Sequence, residues 1–364
     1  MVKIYINARF LTQPITGVQR YAIELVRALD RLIDCGAIDK TKYSFLLLAP
    51  RNTQNEPGLT HIPFRPAGRL KGHLWEQLEL PFFAKDGLLV NLCNTGPLQH
   101  HFSVVVIHDA AVFAYPQAFS AIFRTWYRML LPRLGKAARK VITVSLFSKK
   151  ELTTYFGIPE HKITVIYPGK EQMYNVSPDC SILHKYNLVG RNYVLSVSSI
   201  DPRKNFGAVV KAMELLAGND YEFVVAGGAN PKVFNAPGAP LPDTVHHMGY
   251  VSDGELRALY EHAACFVFPS FYEGFGLPPL EAMACGCPVI VSPAASLPEI
   301  CGDAALYCNP GSPADIAAKI RLLMADQELR VILRRKGLDN AKRFSYNDSA
   351  REIFKVIEEA LALL

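Results

Sequence analysis

The stretch "FYEGFGLPPLEAMACGCPVI", residues 271–290, predicts how the second half of this chain is folded. It follows the short apolar run "CFVFPS", residues 265–270, which is typical of a buried strand. Proline is tolerated in the first turn of a helix, so we expect a helix to begin at the Pro-Pro pair. Glu273 then lies on a loop between strand and helix, and Glu281 falls in the first helical turn. A strand, a loop and a helix in this order form the repeating unit of a parallel sheet covered by helices.

The loop has the composition of a ligand-binding turn. Gly274 and Gly276 lack a Cβ, so a ligand can approach the backbone closely, and the helix start attracts an anion such as a diphosphate. The sequence separation of Glu273 and Glu281 does not fix the distance between their carboxylates, so the acid–base pair of a glycosidase is one interpretation. A second gives one glutamate to a sugar and the other to a nucleotide ribose. A third is structural, with Glu281 only favouring the helix macrodipole.

Strand and helix patterns alternate along the whole chain of 364 residues, and the alternation restarts near residue 170. Capping patterns predict helices that begin after Ser148, Ser252 and Ser312. Two such series predict an α/β protein with two Rossmann-like domains, each built on a parallel sheet. We expect these domains to span 1–170 and 171–345, with a last helix at 346–364.

The composition excludes a spanning membrane protein and a zinc site. No apolar run reaches the roughly 18 residues of a spanning helix. The start, "MVKIYINARF", alternates like a strand and lacks the apolar region of a signal peptide. The eight cysteines lack the spacing of zinc ligands and are expected to be ordinary buried thiols. We therefore expect a cytoplasmic protein.

Charge is divided unevenly between the two halves. Residues 1–170 contain 22 Lys and Arg against 11 Asp and Glu, whereas residues 171–364 contain 17 against 22. The basic half should attract an anionic partner, and the charge alone leaves open a phosphorylated substrate, an anionic membrane or a nucleic acid. An ordinary solvated surface is the remaining interpretation.

Residues 119–140 combine aromatic side chains and leucines with cations, among them Arg124, Arg128 and Arg133, and contain no acid. A helix of this composition suits the surface of an anionic bilayer. The alternative is that the aromatic side chains pack inward and leave a cationic rim. We expect Pro132 to interrupt the helix.

Three further motifs carry candidate functional residues. In "DPRKN", residues 201–205, Arg203 and Lys204 supply adjacent cations suited to phosphate oxygens. His108 ends a hydrophobic strand, and Gly17 precedes a helix without the G-x-G-x-x-G pattern of dinucleotide binding. No D-x-D occurs in the chain, so we expect no metal site and a diphosphate stabilised by cations and a helix dipole.

The E-x7-E loop, "DPRKN", the His-Asp pair after a strand and "TVSLFSKKEL" together resemble glycosyltransferase family 4. The resemblance covers nearly the whole chain in the right order, and the E-x7-E loop is its specific part. It implies a GT-B fold, with two Rossmann-like domains facing a central cleft and the helix at 346–364 crossing back to the first domain. It also implies retaining transfer from a nucleotide sugar, with no cofactor, no metal and no nucleic-acid partner.

The resemblance also implies roles for single residues. Arg203 and Lys204 hold the diphosphate of the donor, and Glu281 binds the ribose hydroxyls. His108 and Glu273 contact the transferred sugar and are the catalytic candidates. The donor-binding set is completed by Gly17, Gly274, Phe275, Gly276 and Leu277. The implied mechanism is front-face substitution, and a double displacement through Glu273 is its alternative.

"TGVQRYAIELVRAL" and "SLPEICGDAALYCNP" are similar to bacterial mannosyltransferases that use GDP-mannose. UDP-glucose and dTDP-rhamnose are the alternative donors. We expect a saccharide or polyprenyl-diphosphate-linked acceptor in cell-envelope polysaccharide synthesis, with peripheral contact at the inner face of the cell membrane. A GT-B sugar-nucleotide epimerase or a binding protein without transfer is the second functional class. A dehydrogenase comes third, because the dinucleotide glycines are missing.

Overall fold

A computed structural model describes residues 1–53, 57–197, 201–218, 220–227 and 245–363. The chain forms two compact units, one comprising Met1–Gly169 with Phe344–Leu364 and the other comprising Lys170–Arg343. Residues 198–200, immediately before the "DPRKN" motif, lie outside the described part of the chain. Each unit is built on its own parallel sheet, as the alternating pattern predicted.

The first unit contains a seven-stranded parallel sheet. Its strands are β1 (Val2–Asn7), β2 (Tyr43–Ala49), β3 (Phe64–Pro66), β4 (Leu88–Asn91), β5 (Ser103–Val106), β6 (Lys140–Thr143) and β7 (Ile163–Val165). The strand order is β3-β2-β1-β4-β5-β6-β7, so β1 and β4 lie side by side near the middle. Most positions in these strands are apolar because parallel sheets are covered by helices on both faces.

The helices of the first half are α1 (Gly17–Asp34), α2 (Gly72–Leu74), α3 (Leu80–Phe83), α4 (Ala111–Ala114), α5 (Ala121–Ala137) and α6 (Leu146–Phe156). A π-helical turn, Trp75–Glu79, joins α2 to α3 without a break. The three pieces form one helical segment, which we call the Gly72–Phe83 segment.

Two details of these helices differ from the sequence predictions. Helix α5 continues through Pro132, because the leucines around the proline are buried and their packing outweighs the lost backbone hydrogen bond. Helix α6 begins three residues before the predicted start, since Ser145 is its N-cap and accepts a hydrogen bond from the Ser148 N–H at 2.9 Å. The prediction of Ser148 as N-cap was therefore wrong.

The second unit contains a six-stranded parallel sheet. Its strands are β8 (Tyr193–Val197), β9 (Glu222–Ala226), β10 (Val245–Gly249), β11 (Cys265–Phe268), β12 (Val289–Val291) and β13 (Ala305–Tyr307). The strand order is β10-β9-β8-β11-β12-β13. Strands β8 and β11, which precede the two candidate loops, are therefore direct neighbours.

The helices of the second unit are α7 (Ser181–Lys185), α8 (Phe206–Glu214), α9 (Asp253–His262), α10 (Leu277–Ala284), α11 (Leu297–Cys301), α12 (Pro313–Ala325) and α13 (Gln327–Ala341). The predicted N-caps of two of them are confirmed. Ser252 accepts from the Glu255 N–H at the start of α9, and Ser312 accepts from the Asp315 N–H at the start of α12.

The last helix, α14 (Tyr346–Ala362), belongs to the first unit. It packs beside α1, where the Arg31 guanidinium donates to the Asn347 side-chain oxygen at 3.1 Å. The Tyr43 hydroxyl of β2 donates to Glu358 at 2.8 Å. The first unit is thus completed by residues from both ends of the chain.

All eight cysteines are free thiols, and Cys265, Cys285, Cys287, Cys301 and Cys308 are buried. Burial raises the pKa of Cys265 to about 12, so this thiol stays protonated and packs as a small apolar side chain. Within the described ranges, no helix combines the length and the apolar character needed to cross a bilayer.

Candidate functional site

The two candidate loops of the second unit leave the same edge of its sheet. The "DPRKN" loop follows β8 and the "FYEGFG" loop follows β11, and these strands pair in parallel with Cys265 opposite Val194. Ligands of parallel sheets bind beyond the carboxyl ends of the strands. The strand order therefore brings the two loops to neighbouring strand ends, and a single ligand site for both stays a prediction.

Direct hydrogen bonds fasten the two loops to each other. The Phe271 N–H donates to the Arg203 carbonyl at 2.8 Å. The Asn205 amide donates to the Pro269 carbonyl at 3.1 Å and to the Pro310 carbonyl at 2.7 Å. Asn205 adopts a left-handed backbone with φ of 55°, which asparagine tolerates better than most residues. Sequence reasoning missed this residue, because a lone asparagine gives no signal of a partner some hundred positions away.

Lys204 and Glu273 form an ion pair between the loops. The Lys204 Nζ lies 2.7 Å from Glu273 Oε1, and the two side chains are 21% and 14% exposed. The Lys204 ammonium also lies 4.7 Å from the centroid of the Phe268 ring, which adds a cation–π contact. A lysine ammonium has three N–H donors, so Lys204 can pair with Glu273 and bind a second anion at the same time.

Arg203 has a carboxylate partner within its own loop. Its Nε donates to Asp201 Oδ1 at 3.0 Å and to Oδ2 at 2.9 Å. Burial raises the pKa of Asp201, but the hydrogen bond and charge of Arg203 outweigh burial and hold that pKa below its usual value. The two adjacent cations predicted from sequence therefore differ, since Arg203 orders its own loop whereas Lys204 crosses to the other.

One serine side chain holds the backbone of the glycine-rich loop. The Ser296 hydroxyl oxygen lies 2.9 Å from the Glu273 carbonyl oxygen and 2.7 Å from the Phe275 carbonyl oxygen. Gly276 has a φ of 105°, and a Cβ there would lie 2.7 Å from Leu297 Cδ2. The backbone conformation thus favours glycine at this position, and a Cβ would also displace the Leu297 methyl group. Phe275 is buried, and Gly274 lies between it and Glu273.

Helix α10 begins one residue before the Pro-Pro pair, with Gly276 as N-cap and Leu277 as its first residue. Glu281 is therefore the fifth helical residue and lies beyond the first turn, so its predicted position there was wrong. The prolines fit the positions after Leu277 because their φ is preset for a helix. They carry no N–H, so the backbone donors at this helix start are those of Gly276 and Leu277.

Glu281 is buried next to another buried polar side chain. Its Oε1 accepts a hydrogen bond from Gln172 Nε2 at 3.0 Å. The Gln172 Oε1 atom is buried and has no hydrogen-bond donor in the described part of the chain. A carboxylate beside an amide oxygen forms an acceptor pair that suits vicinal hydroxyls. Gln172 was missed by sequence reasoning, since it lies 109 positions from its partner.

In the first unit, His108 lies just beyond the carboxyl end of β5 and is buried. Its Nε2 is 3.0 Å from the Leu92 carbonyl, and its backbone N–H donates to Asn94 Oδ1 at 2.8 Å. A carbonyl can only accept, so Nε2 carries the proton and Nδ1 is the acceptor in the neutral ring. Burial lowers the pKa of His108, which favours this neutral form. The Tyr21 ring packs against the imidazole edge-to-face, with the centroids 4.8 Å apart.

Gly17 is the first residue of α1, whereas the sequence predicted that it precedes the helix. A Cβ at this position would meet no atom within 4 Å, and the φ of Gly17 is not in the left-handed region. Neither backbone conformation nor packing inside the described chain therefore requires a glycine here. The position is compatible with close approach of another molecule.

No group of three or more His, Cys, Asp or Glu side chains suited to a metal ion occurs among the described residues.

Comparison with known proteins places this geometry in a family. The profile described as "Glycosyl transferases group 1" matches residues 183–339, and "Glycosyltransferase Family 4" matches residues 95–170. The O-antigen chain mannosyltransferase B of Escherichia coli is 30% identical, over 95% of this chain and 97% of its own length. The O-antigen chain mannosyltransferase RfbU of Salmonella typhimurium is 29% identical, over 84% of this chain and 86% of its own.

Solved structures share the fold at lower identity. Sucrose-phosphate synthase from Thermosynechococcus elongatus superimposes with a TM-score of 0.75 at 20% identity, covering 100% of both chains. Anabaena HepE in complex with UDP-glucose gives a TM-score of 0.74 at 17% identity and also covers 100% of both chains. These likenesses confirm the predicted GT-B fold. The chain belongs to the group 1 and family 4 glycosyltransferases and is a hexosyltransferase.

Proposed function

We propose that the protein transfers mannose from GDP-mannose to a saccharide in the synthesis of a cell-envelope polysaccharide. The observation that carries this proposal is the pairing of Lys204 with Glu273 on the same sheet edge as Glu281. This edge offers a cation for a diphosphate, a carboxylate for a sugar and a second carboxylate for a ribose. The mannosyltransferases of Escherichia coli and Salmonella typhimurium described above support mannose as the transferred sugar.

In the proposed reaction, Lys204, the N–H groups of Gly276 and Leu277, and the α10 helix dipole stabilise the departing diphosphate. The bond between the anomeric carbon and the phosphate oxygen breaks, and an acceptor hydroxyl attacks from the same face. The proton of that hydroxyl passes to the departing diphosphate oxygen. Because attack and departure take place on the same face, the anomeric configuration is retained. Glu273 holds hydroxyls of the transferred sugar, and no covalent sugar–enzyme intermediate is formed.

A panel of nucleotide sugars tests the donor and the reaction class. Thermal shift and slow hydrolysis should select GDP-mannose over UDP-glucose and dTDP-rhamnose, and NMR of the product should show the anomeric configuration of the donor. Preference for another donor would contradict the mannose assignment. Binding without hydrolysis or transfer would favour a binding protein instead, and release of an epimerised nucleotide sugar would favour an epimerase.

We also propose that the first unit makes peripheral contact with an anionic membrane, which would bring it to a polyprenyl-diphosphate-linked acceptor. In α5, Ile122 is 86% exposed and Met129 is also exposed. The neighbouring Gly72–Phe83 segment exposes Leu74, Leu78 and Phe82 at intervals of four residues, which places them on one helical face. Apolar side chains beside a basic surface suit lipid headgroups and the adjoining acyl region.

The structure restricts which cations are available for this contact. The Arg128 guanidinium donates from Nε to the Val112 carbonyl at 3.1 Å and lies 5.0 Å from the Phe113 ring centroid. Arg128 therefore holds α5 against the unit, and its substitution would disturb packing. Arg124 and Arg133 are the better candidates for contacts with lipid phosphates.

A further inference from the structure

A buried charged network lies at the carboxyl edge of the first sheet, apart from the residues considered so far. Glu76 is 1% exposed on its side chain, and its Oε1 accepts from Arg9 Nε at 3.0 Å. The same oxygen accepts from Asn7 Nδ2 at 2.8 Å and from the Thr95 hydroxyl at 3.0 Å. Arg9 also donates to the Thr95 hydroxyl oxygen at 2.8 Å. The ends of β1 and β4 thus meet around one buried carboxylate.

The second oxygen of this carboxylate holds a histidine. His73 Nδ1 lies 3.0 Å from Glu76 Oε2, and 35% of the His73 side chain is exposed. Burial raises the pKa of Glu76, but the hydrogen bond from His73 and the charge of Arg9 outweigh burial and keep the group ionised. An ionised carboxylate only accepts, so Nδ1 donates and the polar atom left for other interactions is Nε2.

The helical geometry around Glu76 is unusual. Glu76 lies in the π-helical turn Trp75–Glu79, and π turns within helices occur frequently at functional sites. The next residue, Gln77, donates to the Gly96 carbonyl at 2.8 Å and accepts from the Leu98 N–H at 3.1 Å. Two successive side chains thus fasten the Gly72–Phe83 segment to the loop after β4.

That same loop holds His108. The carbonyl of Leu92 and the side chain of Asn94 bind His108, and Thr95 binds Glu76. His73 and His108 are therefore connected through four consecutive positions, 92–95, on one sheet edge. His73 and the candidate His108 thus belong to one hydrogen-bonded region of the first unit.

Aromatic rings border His73. The Trp126 and Tyr127 rings lie edge-to-face with the imidazole, with centroids 5.8 Å and 6.2 Å from it. Phe123 stacks on Tyr127 at 4.0 Å and is partly exposed. The Trp126 Nε1 atom is buried and finds no hydrogen-bond acceptor among the described residues.

Packing alone does not account for this arrangement. A buried ion pair is often no more stabilising than apolar side chains of the same volume, so leucines would bury the Gly72–Phe83 segment equally well. What the network adds is a fixed orientation of one imidazole among aromatic rings. The faces of pyranose rings carry C–H groups that pack on aromatic rings, and their hydroxyls bind to imidazole.

We propose that His73, Phe123, Trp126 and Tyr127 form a subsite for the acceptor saccharide. The Trp126 ring packs on a pyranose face, and Phe123 and Tyr127, which stack on each other, border the subsite. His73 Nε2 hydrogen-bonds an acceptor hydroxyl, and Glu76 is a positioning residue for His73. This inference rests on the proposed glycosyl transfer, because it names the second substrate of that reaction and the residues that bind it.

Tryptophan fluorescence provides a direct test. The chain has two tryptophans. Trp75 is fully buried and its indole N–H donates to the Ala67 carbonyl at 2.8 Å, so Trp126 should account for most of the quenching by acrylamide. Methyl α-mannoside, methyl α-glucoside and α-1,3-mannobiose are titrated as probes. We expect at least one to protect Trp126 from acrylamide, and we expect the protection to disappear in His73→Ala and Trp126→Phe.

Kinetics separate this subsite from the donor site. With the protecting glycoside as acceptor, His73→Ala should raise its KM at least tenfold and leave the hydrolysis of GDP-mannose by water unchanged. The matched control is His61→Ala, because His61 Nε2 pairs with Asp34 at 2.8 Å on the surface of the same unit. The His61→Ala variant and the wild type should have the same KM for the acceptor glycoside.

The outcomes distinguish the subsite from the proposed function. Equal quenching of Trp126 with and without every glycoside, or an unchanged acceptor KM in His73→Ala, would overturn the subsite even if donor hydrolysis is normal. Protection of Trp126 in a protein that neither hydrolyses nor transfers any nucleotide sugar would support saccharide binding and refute the proposed transfer. A loss of donor hydrolysis in His73→Ala would also overturn the assignment, because His73 would then belong to the donor site.

Discussion

Replacement of Lys204 by alanine should separate diphosphate binding from nucleoside binding. The Lys204 ammonium is mostly buried at 21% side-chain exposure and is held 2.7 Å from Glu273, so it is already oriented before a ligand arrives. A hydrogen bond to a charged group contributes about 1.5–3 kcal/mol. Since about 1.4 kcal/mol changes an affinity tenfold, Lys204→Ala should weaken GDP binding by roughly 10- to 150-fold. Guanosine has no phosphate and should bind as before.

The neighbouring carboxylates should respond differently. Glu273→Gln removes a negative charge beside the diphosphate and leaves Lys204 to the ligand alone, so GDP should bind equally or more tightly while sugar transfer falls. Glu281→Gln should weaken GDP and guanosine alike, because Glu281 is assigned to the ribose that both contain. Lys204→Ala should thus lower the affinity for GDP, whereas Glu273→Gln should leave it unchanged or raise it. A general destabilisation of the loops would lower the affinity in both variants.

Isothermal titration calorimetry with GDP and guanosine measures these effects. Lys336→Ala is a matched control, because Lys336 forms a 2.8 Å pair with Asp303 in the same unit at an exposed position. The control should bind both ligands like the wild type. Equal losses of GDP and guanosine affinity in Lys204→Ala would refute the assignment of Lys204 to the diphosphate.

Four further predictions concern the rest of the protein. Gly276→Ala should lower the unfolding temperature and the transfer rate, because its backbone has a φ of 105° and a Cβ would displace the Leu297 methyl group; an unchanged melting curve would contradict this. Transfer should survive EDTA, and complete loss restored by Mg²⁺ or Mn²⁺ would refute a metal-independent reaction. Ile122→Ser should reduce co-sedimentation with anionic vesicles at low salt more than Val189→Ser, an exposed apolar change in the second unit; equal sedimentation would exclude the α5 contact. Burial lowers the pKa of His108, so the stability that this residue contributes is fully present above the pKa of about 6.5 in the unfolded chain and is lost as the pH falls through the folded pKa. Denaturant titrations should therefore show that the free energy of unfolding falls less steeply towards acid pH in His108→Asn than in the wild type.

The sequence predicted the two sheets and the two loops because their signals are local. Short apolar runs followed by turn residues mark the strands, and the Ser252 and Ser312 caps need only residues three positions away. Glu273, Lys204 and His108 were chosen as candidates because each lies in a motif on the segment that follows a strand. The motif and the preceding apolar run are both visible in neighbouring residues, so a one-dimensional pattern was sufficient to select them.

Long-range partners were not predictable in the same way. Gln172 meets Glu281 and Asn205 meets Pro310, each across more than a hundred positions, and neither residue type indicates its partner. The Glu76 network was missed for the same reason, since a glutamate in an apolar helix resembles a solvated charge until β1 and β4 bring Asn7 and Thr95 to it.

Two helix starts were predicted incorrectly. Ser145 and Ser148 both resemble N-caps, and Ser148 is followed three positions later by the acidic residue Glu151, yet Ser145 caps α6. At α10 the prolines marked the start correctly to within one residue, but that single residue moved Glu281 out of the first turn. Boundary errors of this size matter little for the fold and more for an assigned role.

The return of α14 to the first unit makes the second unit an insertion within the first. During synthesis, α1 leaves the ribosome before the whole second unit, and its partner α14 leaves after that unit. The apolar faces that these helices bury against each other stay uncovered until α14 has been made, whereas all residues of Lys170–Arg343 are available earlier. A fragment ending at residue 343 should therefore aggregate through the first unit rather than the second, and supplying the peptide 344–364 in trans should rescue its solubility.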